Sequence, residues 1–176
     1  MRRTRACGGP GLTILSGDDE KTSDMMADPE IGAAGVISVV SNVCPGPVQQ
    51  MVHALREGDT ERAQSLREGL TPLFNIVTVK TEETTPHGPT VCKARNPLAI
   101  KTLMNILGMH VGPCRPPLGK MTARGLDVVL DAARAVWKDN PEFLMPVGEA
   151  YKVDIEERLY DERFTRGLTY KGDPYS

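Results

Sequence analysis

Apolar residues follow two different rhythms along the chain. Near the start they form short continuous runs: Leu12-Thr13-Ile14-Leu15-Ser16 breaks abruptly into Gly17-Asp18-Asp19-Glu20, and Gly35-Val36-Ile37-Ser38-Val39-Val40 is nearly all β-branched. Runs of this kind predict buried strands, and a strand apolar on both faces belongs to a parallel sheet covered by helices. The stretch between them, 21–31, is long enough for a helix of two to three turns. Strand–helix–strand is therefore the expected unit.

From Pro47 onward the period becomes helical. Pro47 suits a first helical position, and Val48, Met51, Val52 and Leu55 recur at i, i+3, i+4 and i+7 before Gly58 stops the run. Asp59 is placed to cap a second helix whose stripe is Ala63, Leu66, Leu70, Leu73 and Phe74. Residues 80–95, with two prolines and no apolar period, predict an exposed loop or insertion. Asn96-Pro97 reads as a cap followed by a first-turn proline, opening a helix with Ile100, Leu103, Met104 and Leu107 on one face and Gly108 at its end. Residues 112–119 form a proline-rich turn, and Thr122 opens a long amphipathic helix through Leu126, Val129, Leu130, Ala133, Val136 and Trp137. Asn140-Pro141 ends it; 147–164 predicts a charged, weakly amphipathic helix before a polar tail.

Each helix face offers about four side chains worth about 1.5–3 kcal/mol each, roughly 6–12 kcal/mol gross, provided something packs against it. Two strands are too little to pack against, and their edges would expose unpaired backbone groups. The pattern is that of the end of a larger α/β structure.

Composition narrows the function classes. With 21 Lys+Arg against 23 Asp+Glu the formal net charge is -2, so no chain-wide basic field recruits nucleic acid. No apolar run reaches the length of a membrane span. Arg2, Arg3 and Arg5 imitate the start of a signal peptide, but the apolar stretch behind them is too short; they predict the basic end of a surface helix. Cys7, Cys44, Cys92 and Cys114 are far apart, as are His53, His87 and His110, so no zinc spacing is present and the expected compartment is reducing and cytoplasmic. At 176 residues the chain is shorter than the roughly 250 that a complete (β/α)8 barrel takes.

In this order, Leu15-Ser16-Gly17-Asp18-Asp19, Gly35-Val36-Ile37-Ser38-Val39 with Asn42, Gly58-Asp59, Leu73-Phe74, Asn96-Pro97-Leu98-Ala99-Ile100-Lys101 and Arg115-Pro116-Pro117-Leu118 resemble the carboxyl-terminal half of the dihydrodipicolinate synthase (4-hydroxy-tetrahydrodipicolinate synthase) family over about residues 12–136. Ile37-Ser38-Val39 favours the synthases over the related N-acetylneuraminate lyases. The resemblance implies an α/β fold: strands seven and eight of a (β/α)8 TIM barrel followed by a helical domain. Residues 1–57 would be the barrel end, 58–139 the carboxyl-terminal helical domain and 140–176 a charged helical tail. It implies a class I aldolase-type lyase of lysine biosynthesis, by the diaminopimelate pathway, condensing pyruvate with aspartate semialdehyde through a lysine Schiff base. No cofactor is expected, since the imine supplies the electron sink. The partners implied are the two small-molecule substrates and further copies of the chain in a homo-oligomer, a tetramer by family, with no nucleic acid and no membrane.

Family active sites lie at the carboxyl ends of the strands, which implies a substrate-binding role for Gly17 and Ile37. The Schiff-base lysine and relay tyrosine belong to earlier strands, and residues 1–16 contain no lysine; the chain as given is expected to carry no catalytic nucleophile. The 17–37 spacing is longer than in the family, with Ala27-Asp28-Pro29-Glu30 inserted, and about 40 residues are added after Trp137.

Other motifs read more simply. Asp18-Asp19-Glu20 suits a hard cation but more often is a solvated acidic turn or helix amino-terminal charge complementing the dipole. Lys101, beside Ile100 on an amphipathic helix, is expected to pair or structure a loop. Gly8-Gly9-Pro10-Gly11 lacks the ending of a phosphate loop, and Met25-Met26 reads as core. Four functional readings stay open: a truncated or mis-started synthase, a related pyruvate-dependent aldolase, a non-catalytic helical module that needs a partner, and a small βαβ binding domain.

Overall fold

The computed structural model describes residues 1–170. Its elements run α1 (Arg2–Gly8), β1 (Leu15–Ser16), α2 (Thr22–Ala27), β2 (Gly35–Val36), α3 (Pro45–Glu57), α4 (Thr60–Asn75), β3 (Val79–Thr85), β4 (Gly88–Ala94), α5 (Leu98–Ile106), α6 (Ala123–Asp139), α7 (Met145–Tyr151) and α8 (Ile155–Tyr160). The chain gathers into two units that meet in sequence between Phe74 and Asn75. The sequence divisions at 57 and 139 differ from this one, and the described part of the tail belongs to the second unit.

In the first unit β1 and β2 pair in parallel, Leu15 opposite Gly35 and Ser16 opposite Val36, with α2 as the crossover. The paired strands are shorter than the apolar runs that predict them. The ladder extends one bond each way: Ala34 N–H donates to the Ile14 carbonyl and Ile37 N–H to the Ser16 carbonyl, both at 2.8 Å. Ile14 and Ser16 are buried on one face; Leu15 and Ile37, on the other, are 44% and 70% exposed. α1 buries no side chain and is held by Arg5, whose guanidinium donates to the carbonyls of Gly9, Leu12, Ile31 and Gly32. Arg2, hydrogen-bonded to Asp28, holds that carboxyl below the usual carboxylate range.

α3 starts at Pro45 rather than Pro47, because Pro45 already fills the first helical position and Pro47 is free to be buried. Val48 and Met51 are buried as the period predicts, and Gly58 ends the helix with φ 77°, a left-handed turn that suits glycine. Asp59 caps α4 by accepting from Arg62 N–H at 3.0 Å.

In the second unit the expected loop at 80–95 is instead a β-hairpin, β3 antiparallel to β4, with Val79 opposite Ala94 and Thr85 opposite Gly88. Its alternation is one of threonine, glutamate and lysine, a period of two without the apolar contrast that marks a strand. The inner face packs on α6, and Arg124 of α6 donates to the Glu82 carbonyl at 2.7 Å. Pro89 stands on β4.

α5 begins at Leu98 with Pro97 itself at the cap, so Asn96 is not the capping residue. Most of α5 is buried, including Leu98, Ala99, Ile100, Thr102, Leu103 and Ile106. Thr122 caps α6 as predicted, its side chain accepting from Gly125 N–H at 3.0 Å. The single helix expected at 147–164 is broken into α7, α8 and a 3-10 turn at Glu162–Phe164; Lys152 adopts φ 54° and Asp154 caps α8. α8 is fastened to α6 by Arg134, which donates twice to the Leu159 carbonyl. The polar tail beyond residue 170 lies outside the described residues.

Leu103 is fully buried in α5. Leu103→Ala should lower unfolding stability by about 2–5 kcal/mol through lost transfer energy and the cavity left behind; urea unfolding followed by circular dichroism checks this.

Candidate functional site at the strand ends

The acidic turn after β1 is built from its own side chains. Ser16 Oγ donates to the Asp18 carbonyl at 2.7 Å and accepts from Asp18 N–H at 3.2 Å, while Thr22 Oγ1 donates to the same carbonyl at 3.0 Å. Both hydroxyl residues are fully buried. Asp18 faces outward, and its Oδ1 accepts from Glu20 N–H. Asp19 turns inward instead: at 5% exposure its Oδ2 accepts from Val39 N–H at 2.9 Å and Val40 N–H at 3.3 Å, and Oδ1 is buried without a hydrogen-bond partner.

Within Asp18-Asp19-Glu20, Asp18 and Glu20 are exposed as a solvated acidic turn requires, whereas Asp19 is not. Its carboxylate is part of the core and ties the two strand ends together. No group of three or more His, Cys, Asp or Glu suited to a metal ion occurs among the described residues.

Gly17 and Ile37 are brought side by side. Each follows a paired strand residue, and the Ile37 N–H donates to the carbonyl of Ser16, the neighbour of Gly17. A Cβ on Gly17 would meet nothing within 4 Å. After Ile37 the chain turns: Ser38 Oγ accepts from Ser41 N–H at 2.9 Å, and a 3-10 turn, Val40–Asn42, leads into α3. The sequence missed Asp19 as a structural member of the site. No signal in the run of three acids marks which of them turns inward.

Lys101 Nζ donates to the Pro113 carbonyl at 2.9 Å, structuring the 112–119 turn as expected. Residues 8–11 form the end of α1 and a turn, and Met25 and Met26 are half-buried. Among the described residues no helix is long and apolar enough to cross a membrane.

A parallel strand–helix–strand unit followed by helices is an arrangement found in TIM barrels. The family model described as the dihydrodipicolinate synthetase family matches residues 1–135, and the chain belongs to that family. The 4-hydroxy-tetrahydrodipicolinate synthase of Methanothrix thermoacetophila is 39% identical over 111 residues, 63% of this chain and 32% of its own length. That of Aquifex aeolicus is 37% identical over 114 residues, 65% of this chain and 33% of its own. The chain thus spans about a third of the length of the curated relatives it matches. Among solved structures, the dihydrodipicolinate synthase from Aquifex aeolicus is 33% identical with a TM-score of 0.61, covering 81% of this chain and 42% of that one. The 4-hydroxy-tetrahydrodipicolinate synthase from Methylacidiphilum fumariolicum SolV is 28% identical with a TM-score of 0.61, covering 85% and 43%. The fold neighbours are TIM barrels.

The thiols of this chain differ in chemistry. Burial pushes the Cys44 thiol up to about 12, whereas Cys7 is exposed on α1. Since the thiolate is the nucleophile, iodoacetamide near neutral pH should modify Cys7 and spare Cys44 until the chain is unfolded, as peptide mass mapping would read directly.

Proposed function

We propose that this chain supplies the seventh and eighth strands of a (β/α)8 barrel and the helical domain of a 4-hydroxy-tetrahydrodipicolinate synthase-type lyase. The reaction is the condensation of pyruvate with aspartate semialdehyde through a lysine Schiff base. The observation that carries this reading is the adjacency of Gly17 and Ile37 at the carboxyl ends of a parallel pair whose opposite face is packed. The exposed face, Leu15 and Ile37, is then the barrel interior, covered by the remaining strands.

The chemistry requires an amine that is neutral near pH 7, which a desolvated barrel interior provides by disfavouring the ammonium form. That amine attacks the pyruvate carbonyl, water leaves, and the imine draws electrons as the methyl group loses a proton. The resulting enamine carbon bonds to the aldehyde of the second substrate. That no lysine among the described residues lies on β1 or β2, and that Lys101 is engaged with the Pro113 carbonyl, supports a nucleophile on another barrel strand. That a Cβ on Gly17 would meet nothing within 4 Å supports a role for the missing side chain in leaving room for pyruvate. The imine serves as electron sink without a cofactor, and the complete enzyme assembles as a homo-oligomer.

Borohydride trapping with pyruvate tests this, on the chain alone and after co-expression with the amino-terminal remainder of the Aquifex aeolicus synthase. The expected result is a reduced adduct only in the second sample, on a lysine of the supplied segment. An adduct within residues 1–176 overturns the assignment of the nucleophile; no adduct in a folded, co-purifying pair overturns the function. Gly17→Val should lower the trapped yield about tenfold or more by displacing pyruvate, with the unfolding midpoint of the chain unchanged.

A further inference from the structure

Asp19 is an expensive residue to keep where it is. Its carboxylate is buried, with Oδ1 lacking a hydrogen-bond partner, and a buried polar atom without one is costly. What its paired oxygen does is specific. Gly17 and Ile37 are bracketed by two cross-links: before them the Ile37 N–H reaches the Ser16 carbonyl at 2.8 Å, and beyond them the Val39 N–H reaches Asp19 Oδ2 at 2.9 Å. Asp19 lies two residues past Gly17, and Val39 two residues past Ile37. The second cross-link also holds Val40 N–H, at the start of the 3-10 turn that carries the chain away from the sheet.

We propose that Asp19 is a positioning residue for pyruvate: by holding the Val39 and Val40 amides it fixes the backbone at Ile37 opposite the open space at Gly17. The proposal rests on the function argued above. Asp19 itself touches no substrate, since its free oxygen is covered by protein. Its effect is on the width of the gap between two strand ends, which nothing else described cross-links above the Ile37 bond through a side chain. Two amides held by one oxygen, Val39 at 2.9 Å and Val40 at 3.3 Å, fix two successive peptide planes at once, which suits a clamp that must not slip when the ligand enters.

Four forms of residue 19 separate positioning from folding. Asp19→Asn keeps an oxygen for the two amides and places its NH2 where Oδ1 makes no bond, so it retains the clamp in weakened form. Asp19→Ala removes it, and Asp19→Glu keeps the charge but moves the oxygen by a methylene. Amide hydrogen exchange on the chain should show protection at Val39 and Val40 falling in the order Asp, Asn, then Glu and Ala. In the co-expressed pair, KM for pyruvate, read from the concentration dependence of borohydride trapping, should rise about tenfold for Ala and Glu and about threefold or less for Asn, a loss of binding geometry in the sense of mutant kinetics.

If the two amides lose protection while KM stays at the wild-type value, Asp19 is structural only and the proposal is overturned. It is overturned equally if Asn behaves as badly as Ala, for then the shared acceptor is not what acts. Should Asp19→Ala fail to fold, the Asn and Glu comparison decides between the same outcomes. A wild-type pair that traps no pyruvate overturns the functional reading and with it the positioning role, whereas the exchange pattern still reports the clamp.

Discussion

Everything in the first unit answers to a two-stranded parallel sheet that has one good face. Ile14 and Ser16 are buried beneath it, while Leu15 and Ile37 stand exposed on the other side. A sheet this small cannot hold its own register by strand pairing. Register therefore comes from elsewhere: from the Ser16 and Thr22 hydroxyls that close the turn after β1, from Asp19 reaching across to the Val39 and Val40 amides, and from Arg5 collecting the carbonyls of Gly9, Leu12, Ile31 and Gly32. Polar side chains here do the work that neighbouring strands do in a closed barrel.

This explains why the site residues are adjacent although the strands are short. A ladder of two residue pairs leaves the carboxyl ends free to splay, and the proposed binding geometry needs them parallel a further two residues. Side-chain bonds from the turns extend the ladder's effect beyond the sheet. The second unit uses a different device: a long amphipathic helix, α6, against which α5, the hairpin and α8 are laid.

The helices were legible because burial imposes the 3.6-residue period on them: Val129, Ala133 and Val136 of α6 are buried where the pattern puts them, and Thr122 caps where a threonine before an apolar stripe should. The strand ends were legible through the family's motif. The hairpin was not, because a ribbon half exposed to solvent selects β-branched threonine rather than valine, and its Thr-Glu-Lys alternation carries the period without the contrast. Asp19 escaped for the opposite reason, since three consecutive acids look solvated whichever of them turns inward. The break falls at Lys152, itself a non-glycine residue in the left-handed region, and nothing in the sequence announces it.

The hairpin's two rims bear on the behaviour of the molecule in a crowded solution. Exposed ribbons are templates on which a stranger's chain can stack, and Val91 on β4 is exposed enough to invite it. Pro89, with no amide hydrogen to offer, interrupts one rim, and the Arg124 guanidinium occupies the Glu82 carbonyl on β3. The hairpin thus carries its own guards against fibrous self-association.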